Sequence, residues 1–184
     1  MNVVIGAISA AFGWMLVALS LLVATETIAR KAFNFSFQGA DELGGYVLAV
    51  GSSLAFTIAL VERAHIRIDL VHERLPARVQ AVLNWLSIVL LAGLGLFLVY
   101  YCWLVIRDTL AYGSTAATPW ATPLIYPQSV WYAALVVFAV VGVWLAVRAT
   151  RLLLTGETQT LNREFHPKGA LEELADELED LARR

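Results

Sequence analysis

Cysteine, charge and histidine are scarce in this chain, and each shortage removes a class of function. One cysteine in 184 residues, Cys102, leaves no internal disulfide and no Cys-Cys redox pair. It stands inside an apolar run, where a free thiol behaves as a small hydrophobe. Charged residues make up 15% of the chain, against about 25% in an ordinary soluble domain. The formal net charge is −2 and no basic cluster is interleaved with aromatics, so no face for nucleic acid is present. His65, His72 and His166 all stand outside the long apolar runs, whereas a haem-binding bundle needs histidines inside two facing helices. His65 and His72 are seven residues apart, but the flanking arginines oppose a metal ion there. A phosphate-binding loop, an HExxH pair and a GxSxG elbow are missing. No acid or base falls in the middle of an apolar run, and an ion or proton path through membrane helices needs such groups. The sequence therefore shows no active site, no cofactor site and no metal site.

What the chain does have is apolar length: 59% of its residues are hydrophobic. A helix of about 20 apolar residues crosses the roughly 30 Å hydrocarbon core, and four runs reach that length, near residues 5–24, 43–61, 82–106 and 129–147. The first starts without a basic segment, and it is longer than the roughly 7–15 apolar residues of a secretory signal. An uncleaved first span is expected. Gly6, Ala10 and Gly13 recur there at helical spacing, either as a close-packing face or as small residues scattered towards lipid. In the second run Gly51, Ala55 and Ala59 form a small-xxx-small ladder, the pattern that lets helix backbones approach in lipid. The third run ends in Tyr100, Tyr101 and Trp103 and is closed by Arg107 and Asp108. The fourth has Trp131 and Tyr132 at its start, Trp144 near its end, and Arg148 and Arg151 beyond. Such aromatic belts mark the membrane–water interface.

The intervals between runs differ in kind. Residues 26–42 carry Glu26, Arg30, Lys31, Asp41 and Glu42. Gly39 breaks the chain, and Asp41 is expected to cap the second helix, with Glu42 at the positive end of its dipole. Arg30 or Lys31 then pairs with Glu42, or the group is a solvated cluster. Residues 62–76, ERAHIRIDLVHERLP, are dense in charge, and Pro76 marks the start of the third helix. Residues 109–128 are nearly uncharged but broken by Pro119, Pro123 and Pro127. They form a loop at the membrane surface, or a re-entrant segment covered by protein. The tail, residues 156–184, ends in an amphipathic helix over 169–184 with Leu171, Leu174, Leu178 and Leu181 on one face and acids on the other. Its acidic face disfavours anionic lipid, leaving a protein partner or free solvent.

Arg63, Arg67, Arg74, Arg78, Arg148 and Arg151 fall on one side of a four-span chain, and only Arg30, Lys31 and Arg107 on the other. The positive-inside rule places both termini and the 62–76 segment in the cytoplasm. The expected fold is all-α: an integral membrane protein with four transmembrane helices in residues 1–155 and a cytoplasmic tail.

The stretch from residue 26 to residue 76 resembles the small membrane subunit of tripartite ATP-independent periplasmic (TRAP) transporters. The resemblance rests on Arg30-Lys31-Ala32-Phe33-Asn34, on Glu42 opening the second span, on Gly51 within it, on His65-Ile66-Arg67-Ile68-Asp69 after it, and on Leu75-Pro76. It covers roughly residues 10–150 and leaves out the tail from Gly156. It departs at Gln38-Gly39-Ala40, where such subunits often carry an aromatic before the acid. The resemblance implies a scaffold in the bacterial inner membrane, packed beside a large multi-span permease that holds the ion and substrate sites. It implies a periplasmic solute-binding protein as third component, and sodium-driven uptake of carboxylates. On this view Arg30, Asn34, Glu42, Gly51, Ala55, His65, Arg67 and Asp69 are the candidate interface or structural residues. His65, Arg67 and Asp69 either take part in gating or form a polar cap on two helix ends. Two other classes compete: the membrane anchor of a haem- or quinone-binding redox enzyme, and a self-sufficient small channel or exporter.

Overall fold

A computed structural model of the protein describes residues 2–36, 39–62, 74–165 and 178. Four long helices account for most of it: α1 (Asn2–Phe33), α2 (Ala40–Glu62), α3 (Ala77–Tyr112) and α4 (Ile125–Leu154), followed by the short α5 (Thr158–Phe165). Each long helix contains a stretch apolar and long enough to cross a membrane. Among the described residues the only extended pairing is an isolated bridge between Thr115 and Pro123.

The helices overrun the expected spans. At 1.5 Å per residue, the 36 residues of α3 extend about 54 Å, well beyond a core of roughly 30 Å. Glu26 lies within α1, and Arg107 and Asp108 lie within α3. Charge marks where water begins, not where the backbone stops being helical.

The stops have their own causes. Asn34, at φ 51°, ends α1 in the left-handed region that asparagine tolerates better than most residues. Gly113, at φ 59°, ends α3, and the Ser114 N–H returns to the Thr109 carbonyl at 3.1 Å. Gly156, at φ 77°, ends α4 with a double return: its own N–H reaches the Leu153 carbonyl at 3.2 Å, and the Glu157 N–H reaches Leu152 at 3.0 Å. This is the Schellman pattern.

Helix starts bring two corrections. The Leu43 N–H bonds the Gly39 carbonyl at 3.1 Å, so Gly39 holds the cap position of α2 and Asp41 lies inside the first turn. Pro127 does not break α4 but sits in its first turn, where the missing N–H has no helical partner to lose. α3 begins directly after Pro76, whose carbonyl accepts from the Val79 and Gln80 N–H groups at 2.8 and 3.1 Å. Within the tail, α5 was not expected. The amphipathic stretch 169–184 lies outside the described residues except for Leu178.

Contacts group the chain into two units, Met1–Phe56 with Leu96–Phe138, and Thr57–Gly95 with Ala139–Arg184. In the first, Cys102, Ile106 and Leu135 are buried, with Leu98, Val99, Trp131 and Tyr132 packed around them. Phe56 and Phe138 meet with ring centroids 6.2 Å apart, and the Trp131 indole N–H donates to Ser53 Oγ at 3.0 Å. Gly51 lies against the Phe12 ring, so closely that a Cβ would overlap it. Gly6 and Gly13 have open space where a Cβ would stand. In the second unit Leu60, Ala92 and Gly142 form one contact, and Ala81, Asn84, Ala149, Leu161 and Phe165 are buried. The Trp85 indole donates to Thr150 Oγ1 at 2.9 Å.

A Cβ on Gly142 would stand 3.3 Å from the Ala92 backbone Cα, whereas one on Gly93 would meet nothing within 4 Å. Gly142→Leu is therefore expected to lower stability in detergent by about 1–3 kcal/mol through overpacking. Gly93→Leu should stay within about 0.5 kcal/mol of the parent. Equal thermal shifts for the two variants would contradict the packing described.

Candidate functional site

Two segments of the first unit converge, the start of α2 and the loop over residues 113–124, and Glu42 joins them. It is 8% exposed, and its carboxylate accepts from Tyr46 Oη one turn along α2 at 2.9 Å and from Thr118 Oγ1 in the loop. The Thr122 hydroxyl is a further polar group near the carboxylate. A buried carboxylate needs charge or hydrogen bonds to replace water. Here it gets hydroxyl donors, together with the positive end of the α2 dipole.

Glu26 is treated in a similar way. It is 6% exposed, and Ser36 Oγ donates to its Oε1 at 2.5 Å. Ser36 can reach it because Asn34 turns the chain back on itself.

The loop is built to hold this shape. The Ala121 N–H bonds the Thr118 carbonyl at 2.9 Å across a turn with Pro119 second, a position that suits proline's fixed φ. The Ala116 N–H bonds the Thr122 carbonyl at 2.9 Å, and the Leu124 N–H bonds Ser114 at 3.1 Å. Ala121 adopts φ 46°, a conformation costing an L-residue roughly 1–2 kcal/mol. The turn delivers the Trp120 indole onto Gly39, where a Cβ would overlap the ring. Only glycine fits this cap of α2.

The expected pairing of Arg30 or Lys31 with Glu42 is not what holds the carboxylate; hydroxyls do. Arg30 is exposed in the last turn of α1, and Asn34 acts as a helix stop. Gly51 is buried under Phe12, and Ala55 is half-buried on α2. His65, Arg67 and Asp69 lie outside the described residues. Sequence reading missed Tyr46, Thr118, Trp120 and Thr122. Tyr46 stands four residues from Glu42 and was findable by spacing, while the loop residues had no local signal. Among the described residues no three His, Cys, Asp or Glu side chains are grouped as a metal ion would need. The arrangement is a latch between two segments, with no nucleophile facing a cleft.

The family model of tripartite ATP-independent periplasmic transporters, DctQ component, matches residues 19–152. The match runs from within α1 to near the end of α4 and contains Glu42, Thr118 and Thr122; α5 lies beyond it. No curated protein and no solved structure matches the chain.

Glu42→Ala removes the acceptor of the Tyr46 and Thr118 hydroxyls and is expected to lower the melting temperature. Glu42→Gln keeps an acceptor and should cost less, in thermal unfolding and in proteolysis of the loop. Loss of equal size in both would deny the hydroxyls their role. Ala121→Gly relieves the left-handed strain and is expected to gain roughly 0.5–1 kcal/mol after the added chain entropy. A fall in melting temperature for this variant would contradict the backbone conformation at residue 121.

Proposed function

The chain belongs to the DctQ component family of tripartite ATP-independent periplasmic transporters, and on that premise we propose that it is the small subunit that scaffolds a large multi-span permease. In this reading the complex imports carboxylate solutes delivered by a periplasmic solute-binding protein, driven by an ion gradient, that of sodium. The family match over the four long helices carries the proposal. As a member with four spanning-length helices, the chain is a multi-pass protein of the bacterial inner membrane.

The distribution of exposed apolar groups supports a partner within the membrane. In the apolar window of α1 6% of residues are buried, against 28% in that of α4. Trp14, Leu21 and Ile28, spaced by seven residues along one face of α1, are 74%, 64% and 63% exposed. We assign this face to the permease and the remaining apolar surface to lipid. The arginine distribution puts the Glu42 latch on the periplasmic side, with both termini and residues 156–184 cytoplasmic. Trp120 and Arg30 are then on the side of the binding protein. A redox anchor has no supporting observation of comparable weight.

Affinity purification of the tagged chain from its native membrane in mild detergent is expected to bring a large multi-span permease with it. A photo-crosslinker at Leu21 should trap that protein. Uptake in proteoliposomes should need the permease, the binding protein and a sodium gradient together. Recovery of a flavin or haem subunit, or transport by the lone chain, would overturn the proposal.

A further inference from the structure

The family match ends at residue 152, yet the chain turns at Gly156 and enters α5. A loose appendage would leave α5 solvated. Instead Leu161 is fully buried and Phe165 nearly so, and polar contacts fasten the helix on both flanks. On one flank, Asn162 Oδ1 accepts from Asn84 Nδ2 at 3.1 Å while Asn162 Nδ2 donates to the Ala77 carbonyl at 2.9 Å. Both acceptor and donor of one amide are thus used on the first two turns of α3. Asn84 is itself completely buried, so its amide needs such a partner in place of water. On the other flank, Glu164 takes Arg148 of α4 in a two-pronged pair, Nε and Nη2 each at 2.7 Å. Arginine and carboxylate match best in this geometry. Between the flanks Ala81 of α3 and Ala149 of α4 are completely buried.

We propose that residues 156–165 are a strap that ties the start of α3 to the end of α4, so that the family-matched region of this chain is completed by a segment lying outside it. The strap is a built contact: a glycine turn aims it, two apolar side chains seat it, and a different polar chemistry locks each edge. Its removal would leave Asn84 without that amide partner and the Arg148 guanidinium without its carboxylate.

Hydrogen exchange of the full-length protein in lipid nanodiscs tests this without the other transporter components. Amides of residues 158–165 are expected to exchange at least tenfold more slowly than in a free peptide of that sequence. Asn162→Leu should speed exchange at least tenfold both in α5 and in the first two turns of α3, and leave the loop over residues 113–124 unchanged. Glu164→Arg should loosen α5 and the end of α4, and adding Arg148→Glu should restore protection. The charge-reversal pair decides alone if Asn162→Leu does not fold. Free-peptide exchange in α5, loosening confined to α5, or failure of the reversed pair to restore protection would overturn the strap.

Discussion

Lipid offers the backbone no hydrogen-bond partner, and the rest of this structure follows from that constraint. Apolar runs become helices because a helix satisfies its own amides. The difficulty moves to the ends, where each helix leaves up to four N–H or four C=O groups without partners. Asn34, Gly113 and Gly156 resolve three of these ends by left-handed turns, and Pro127 occupies a first-turn position that has no helical acceptor. Side chains obey the same rule. Trp131 donates to Ser53, Trp85 to Thr150, and Asn84 to Asn162. Each of these three donors finds an acceptor within the chain.

The membrane class, the helical content and the family were all legible in the sequence, because composition and run length are direct readouts of the solvent a chain has evolved for. Pro76 marked the start of α3 for a local reason. The helix ends were less legible. Glu26, Arg107 and Asp108 suggested boundaries, but Arg107 and Asp108 stand exposed on a helix that continues past them, and Glu26 is buried within α1 with a bond from Ser36. The ladder through Gly51 was read as a close-packing face, for its own bundle or for a partner, and within this chain the Phe12 ring lies against that position. α5 carries only two buried apolar side chains, Leu161 and Phe165, too few for periodicity to reveal it.

The Glu42 latch was legible in half. The resemblance pointed to the acid, but Thr118 is 76 positions away, and threonines in a proline-rich loop look like ordinary turn residues. The same holds for Gly39: the sequence offers a helix breaker, while the structure gives a steric reason, the Trp120 indole seated on its Cα. A scaffold role accords with such features, since they fix segments in place.

Two carboxylates, Glu42 and Glu164, are held by opposite means, and the difference governs how each answers to salt. Mobile ions screen attraction between exposed charges over about 8 Å at physiological strength, so the Arg148–Glu164 pair slackens as ionic strength rises. Hydroxyl donors carry no net charge, and the Tyr46 and Thr118 hydroxyls on Glu42 give electrolyte little to screen. The loop it fastens is thus the less salt-sensitive of the two joints, and the strap the more salt-sensitive.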